Sequence, residues 1–340
     1  MGYCFFFGFA LFCHPVQGAD PFAVSLRGQG GFFSSPVFRE PTMRLRTLLL
    51  SPLLLILAIL FLVTNTWSWG FFAHKEVHRY AVLSVPDAMQ PFFAAYADSL
   101  IARSIEPDQR AIVNRKVEGP FHFIDIDRYG KYPFSELPRR YEEAVKKYGK
   151  ETVDSNGTVP WRIQDFTEKL TKAMREKHKN DILFYASNLG HYIADAHVPL
   201  HSVENYDGQL SDQKGVHARW ESRLPEMFRK SYELKPSAVE YVGSPLDEAF
   251  LIVLESNRMV DSVLSMDLKA REGLTEAELF KVTQRRGRTE YQFSDVYYGR
   301  YHELLGGMVE RRMQESIKRV ASYWYTAWVD AGKPHLGGLK

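Results

Sequence analysis

His191 and Asp195 stand four residues apart in Leu189-Gly-His191-Tyr-Ile-Ala-Asp195-Ala-His197-Val-Pro199-Leu-His201, and His217 and Glu221 repeat that step. On a helix, a step of four puts both side chains on one face, where they can hold one ion between them. Pro199 ends the first helix, so His201 is free to turn toward a second centre. Imidazole with carboxylate and no thiolate is the ligand set of a catalytic zinc or a similar first-row divalent ion. A single such pair is common on solvated helices. Two pairs with an added histidine past a helix-ending proline form a much more specific pattern.

Further ligands would come from upstream. His122, in Gly119-Pro-Phe-His122-Phe-Ile-Asp125-Ile-Asp127, has apolar neighbours that would bury it, and a buried imidazole needs a partner. Asp108 lies fourteen residues before it, and His74 five residues after Trp69. His78, four residues beyond His74, competes with it as the N-terminal ligand. His197 points away from the metal face of a continuing helix and reads as core or as support for a ligand. His178, His302 and His335 lack carboxylates at helical spacing and read as surface. Asp125 and Asp127 either support His122 or are solvated loop acids. The densest basic spots, Arg139-Arg140 and Arg285-Arg286-x-Arg288, read as solvated faces, with substrate phosphate as the alternative.

These residues need a scaffold, and the composition allows a large one. The chain has 340 residues, 45% apolar and 25% charged, which excludes wholesale disorder. Its formal charge of +2 is no basic field for duplex nucleic acid. Residues 1–68 hold four basic and two acidic residues, so the remainder is neutral. Cys4 and Cys13 also fall there, which rules out a disulfide scaffold, a cysteine nucleophile and a thiolate zinc site downstream. Within this leader, Met43-Arg-Leu-Arg46 precedes an apolar run from Leu48 to Val63. Residues 43–68 therefore read as a secretory signal cut between Ser68 and Trp69, with an uncleaved anchor as the alternative. Residues 1–42 read as an extension from a mis-assigned start.

Residues 69–340 read as one all-α domain of many helices. Helical periods cover 73–83, 135–148, 161–178, 181–198, 216–230, 245–266 and 298–330. The last carries an apolar stripe of Tyr301, Leu304, Met308, Ile317, Val320, Trp324 and Trp328. Gly306-Gly307 lies within that span, and no run alternates long enough to predict a sheet.

Trp69, His74, Asp108, His122, His191, Asp195, His201, His217 and Glu221, taken in order, resemble the ligand set of the zinc-dependent phospholipase C and single-strand-specific nuclease superfamily. The resemblance covers residues 69–221 and implies an all-α fold enclosing three zinc ions. It implies one zinc on Asp108, His122, His191 and Asp195, and a second on His201, His217 and Glu221. The third would take His74 with the free amine and carbonyl oxygen of Trp69, Asp195 bridging it to the first. Such ions would make a nearby water deprotonate close to neutral pH for in-line attack at phosphorus. Asp108 would orient or deprotonate that water besides binding metal.

Substrate indications divide. Trp69-Gly70, the placement of His74 and the run His122-Phe123-Ile-Asp125 resemble the nucleases, in which the aromatic after the histidine stacks a base. The Asp108-to-His122 and His201-to-His217 gaps and Glu221 resemble the phospholipases. Phe72, Gln109 and Gly119 do not match the bacterial choline site. The expectation is an exported zinc phosphodiesterase, phospholipase C-like, acting on a phospholipid head group or single-stranded nucleic acid. It would touch a membrane surface transiently and need no protein partner. The competing class is a non-catalytic helical envelope protein with a structural metal, although a structural site should be closed and four-coordinate.

Overall fold

The computed structural model describes residues 70–339, apart from 286 and 287. The expected extension (1–42), the expected signal segment (43–68) and Trp69 lie outside these residues.

The described chain is helical, as the periodicity predicts, with one small hairpin. In order come α1 (Phe71–Ser84), α2 (Gln90–Phe93), α3 (Ala97–Arg103), α4 (Glu106–Val113), α5 (Arg115–Glu118), α6 (Tyr141–Tyr148), α7 (Lys150–Ser155), α8 (Val159–Glu176), α9 (Lys179–Ala196), α10 (Val216–Ala218) and α11 (Leu224–Phe228). Then follow α12 (Pro245–Asn257), α13 (Val260–Arg271), α14 (Glu276–Leu279), β1 (Phe280–Arg285), β2 (Arg288–Phe293), α15 (Asp295–Leu304) and α16 (Met308–Asp330). None of the described helices is long and apolar enough to cross a membrane.

Helix α9 is the axis of the fold. Every residue from Ala186 to Ala196 is buried, the mark of a helix covered on all sides. Its neighbours are α8, α16, α3 and α1. The α16 stripe lies against it and α8, with Val309, Met313, Ile317, Val320 and Trp324 buried at helical spacing. Trp324 Nε1 donates to the Ala186 carbonyl at 3.0 Å, fixing α16 along α9. One close approach needs a glycine. A Cβ at Gly190 would stand 2.5 Å from His78 Nε2, so only glycine lets α1 come this near α9.

Three predicted helices are shorter than their periods suggest. The span 298–330 is broken at Gly306 and Gly307, whose φ angles of 56° and 76° leave the right-handed helix. The span 245–266 breaks after Asn257. There Ser256 Oγ donates to the Ala196 carbonyl and Asn257 Nδ2 to that of Ser202, tying the break to the end of α9. The span 135–148 becomes helical only at Tyr141, beyond Pro138. The β1–β2 hairpin was not expected, because its alternation is brief. It pairs Phe280 with Phe293 and Val282 with Tyr291, and Phe293 packs on Tyr297 of α15 at 4.3 Å.

Candidate metal centre

The eight described candidate ligands come from six separate elements and converge. Helix α1 presents His74, α4 Asp108, and α9 both His191 and Asp195. His122 follows a 3-10 turn at Gly119–Phe121, and His201 sits in another at Pro199–Ser202. His217 lies in α10, and Glu221 in a π-helical turn at Arg219–Arg223 that continues it. All eight are buried, Asp195 and Glu221 completely.

Two constellations emerge. In one, His122 Nδ1 lies 2.8 Å from Asp195 Oδ2, and His191 Nε2 is 3.1 Å from that same oxygen. The two imidazole nitrogens are 3.1 Å apart, and Asp108 Oδ1 is 3.7 Å from the first and 3.6 Å from the second. In the other, His201 Nε2, His217 Nε2 and Glu221 Oε2 are separated by 2.9, 3.4 and 3.0 Å. Ligand atoms about 2.0–2.1 Å from one tetrahedral ion stand about 3.3 Å from each other, so both sets have the spacing a zinc ion needs. The other oxygen of Asp195 faces elsewhere. Its Oδ1 lies 3.4 Å from His74 Nε2 and 3.9 Å from His201 Nδ1. His74 also groups with Asp108 and His191 and stacks on the His191 ring at 3.9 Å.

Backbone carbonyls set the tautomers. His191 Nδ1 donates to the Ser104 carbonyl at 2.7 Å, and His201 Nδ1 to that of His122 at 2.7 Å. Each ring therefore turns Nε2 toward the cluster, as a ligating imidazole must. Protonation is strained here. Burial and the nearby His191 push His74 well below the usual imidazole range. Burial would raise Asp195, but His191 and His201 outweigh it and hold the carboxyl well down. Burial likewise opposes ionisation of Glu221 and His217, yet each draws the other toward its charged form. Glu221 Oε1 receives no hydrogen bond within the protein, a costly state for a buried carboxylate that a cation relieves. The donor set, its spacing and its locked tautomers fit zinc.

The surrounding structure holds these elements. Arg219, between His217 and Glu221, donates to the carbonyls of Lys214 and Gln213, both at 2.9 Å, and to Asp267 Oδ1 at 3.0 Å. It thereby clamps the loop entering α10 onto α13. Gly70 N donates to the Glu221 carbonyl at 3.2 Å, so the residue that follows Trp69 is pinned beside the second constellation.

Several sequence alternatives resolve. His78 is buried with both ring nitrogens on backbone carbonyls, those of His74 (2.8 Å) and Ser187 (2.9 Å), and so packs α1 on α9. His197 is also core: its Nδ1 meets the Ile193 carbonyl, and its own carbonyl accepts from Arg312. Asp125 is buried, and burial with neighbouring Asp127 pushes it up to about 7. His178, read as lacking carboxylate partners, lies 3.6 Å from both Glu176 and Asp181 on the surface.

Glu118 was not anticipated. It comes 3.9 Å from His122 Nε2 and accepts from Arg110 and the Tyr192 hydroxyl. The usable signal was its position four residues before His122, the same step that marks the two ligand pairs.

No curated protein matches the chain. A model of the S1/P1 nuclease family matches residues 73–322, which span all eight described candidate ligands. With more than half of its length matched, the chain belongs to the S1/P1 nuclease family.

Proposed function

We propose that this protein hydrolyses phosphodiester bonds in single-stranded nucleic acid, using zinc. Family membership implies a hydrolytic phosphodiesterase. The observation that carries the reading is the sharing of Asp195, whose Oδ2 joins His122 and His191 while Oδ1 faces His74. A shared carboxylate suits adjacent ions in a catalytic site better than a closed structural one.

Asp108, His122, His191 and Asp195 would hold one ion, and His201, His217 and Glu221 a second. A third would take His74, Asp195 and the Trp69 amine and carbonyl oxygen. When bound, zinc lowers the pKa of a water beside it toward about 7 and stabilises charge developing at phosphorus. The chain's own groups do the positioning. Asp108, the least buried of the three carboxylates, orients the attacking water or takes its proton. Phe123, half-buried directly after His122, offers a ring for a base.

We favour nucleic acid over phospholipid on the family match, against the ligand gaps, Glu221 and the neutral net charge of residues 69–340, which point the other way. Trp69 can serve through its amine only as a mature N-terminus, so we also propose export with cleavage after Ser68.

The test is one set of parallel assays, with and without chelator, on single-stranded DNA, single-stranded RNA and phosphatidylcholine vesicles. Chelator-sensitive cleavage of nucleic acid far faster than lipid supports the reading. The reverse preference returns it to the phospholipase C branch, and no hydrolysis by the zinc-loaded protein favours a structural metal.

A further inference from the structure

We propose that Glu118 is a positioning residue for the metal centre: its carboxylate fixes His122 with the ring proton on Nε2, so that Nδ1 is presented to the ion. This rests on the reading of His122 as a zinc ligand and not on the choice of substrate.

His122 differs from the other rings of the cluster. His191 and His201 each give Nδ1 to a backbone carbonyl and turn Nε2 inward. His122 is reversed. Its Nδ1 faces the cluster, 2.8 Å from Asp195 Oδ2 and 3.1 Å from His191 Nε2. No carbonyl locks its other nitrogen, because Nε2 is buried and makes no hydrogen bond among the described residues. A buried N–H left in that state is costly. The group stationed beside it is Glu118, whose Oε1 lies 3.9 Å from Nε2. An approach of about 1 Å, or one bridging water, completes the hydrogen bond. Glu118 faces the nitrogen turned away from the cluster, so it serves the ring without sharing its ion.

Glu118 is itself held by the helices that carry other ligands. Arg110, two residues after Asp108 on α4, donates Nε to Oε2 at 3.1 Å and Nη2 to Oε1 at 2.9 Å. Tyr192, beside His191 on α9, donates its hydroxyl to Oε1 at 2.5 Å and sets its ring edge-on to His122 at 5.6 Å. Arg110 also reaches Asn188 Oδ1, one turn earlier on α9. The Arg110 fork balances the buried charge, so Glu118 needs no metal of its own. One carboxylate thereby ties α4, α9 and the turn bearing His122 together. A backbone carbonyl could set the tautomer alone. A carboxylate also makes the ring a stronger donor, and such partners are worth about 10–100-fold in metal affinity.

The experiment follows the His122 ring N–H by nitrogen-edited NMR in zinc-loaded wild-type protein, Glu118→Gln and Tyr192→Phe, beside competitive zinc titration. Glu118→Gln keeps the shape of the side chain and loses its charge. It should move the Nε2–H proton upfield and weaken one zinc at least about tenfold, while the ion on His201, His217 and Glu221 stays bound. Tyr192→Phe relieves Oε1 of a competing donor and should move the same proton downfield. Tyr192→Phe decides alone if Glu118→Gln does not fold. An unmoved Nε2–H proton in either variant, or loss of all ions together in a Glu118→Gln protein with intact helix signal, would make Glu118 a brace of the fold and overturn the proposal. If zinc leaves the His122 signals of the wild-type protein unchanged, His122 is no ligand, and the metal reading itself fails with the proposal.

Discussion

Asp195→Asn keeps the shape of the side chain and removes the one charge that both ends of the centre use. In the wild-type protein its Oδ2 lies 2.8 and 3.1 Å from His122 and His191, and its Oδ1 3.4 Å from His74. A partner that merely orients a ligand is worth 10–100-fold in metal affinity. A direct ligand should therefore cost at least about 100-fold, or about 2.7 kcal/mol, at each ion it touches. Two ions should be weakened together. Glu221→Gln serves as the comparison, because among the described residues its carboxylate pairs with His201 and His217 of the second constellation. Metal analysis after dialysis against dilute zinc should find Asp195→Asn short of two ions and Glu221→Gln short of one. Turnover should be lost in the first, while circular dichroism retains most of the helix signal. Full metal occupancy with near-wild-type turnover in Asp195→Asn would refute the shared-ligand reasoning.

Other predictions follow from neighbouring residues. Burial raises Asp125 from 3.8 to about 7, so its contribution is complete below pH 4 and is lost as pH rises through 7. In metal-stripped protein, Asp125→Asn should reduce that loss by up to about 4 kcal/mol, read by denaturant unfolding between pH 4 and 8. An equally steep pH dependence in the variant would exclude Asp125 as its source. Gly190→Ala should press on the His78 ring at 2.5 Å, spread α1 from α9 and weaken zinc binding; pairing it with His78→Ala should restore affinity, as a double-mutant cycle by metal titration would reveal. Phe123→Ala should reduce single-strand cleavage about tenfold through lost stacking, and no change in kcat/KM would remove its role. N-terminal sequencing of exported protein should read Trp-Gly-Phe-Phe-Ala; an active form starting well upstream would show that the Trp69 amine is not needed.

How much of this was legible in the chain depends on the range of each interaction. Helix content and the two pairs His191/Asp195 and His217/Glu221 follow from the 3.6-residue period, which any local stretch displays. The hairpin escaped because its alternation is short and is completed by Phe293 packing on Tyr297. The breaks at Asn257 and at Gly306-Gly307 likewise follow from contacts or backbone angles that an apolar stripe does not encode. For His74 against His78, local spacing was ambiguous, since both share one face of α1. Only the packing of α1 on α9 at Gly190 decided it, directing His78 to carbonyls and His74 to Asp195. The contacts of Glu118 with Arg110 and Tyr192 and the clamp of Arg219 on Asp267 belong to the same class, because those partners stand on other helices. By itself the sequence determined the kinds of ligand and their helical faces, since both are properties of residue type and spacing. Which lone pairs meet at one point was left to tertiary structure, because that depends on how six elements distant along the chain are held against each other.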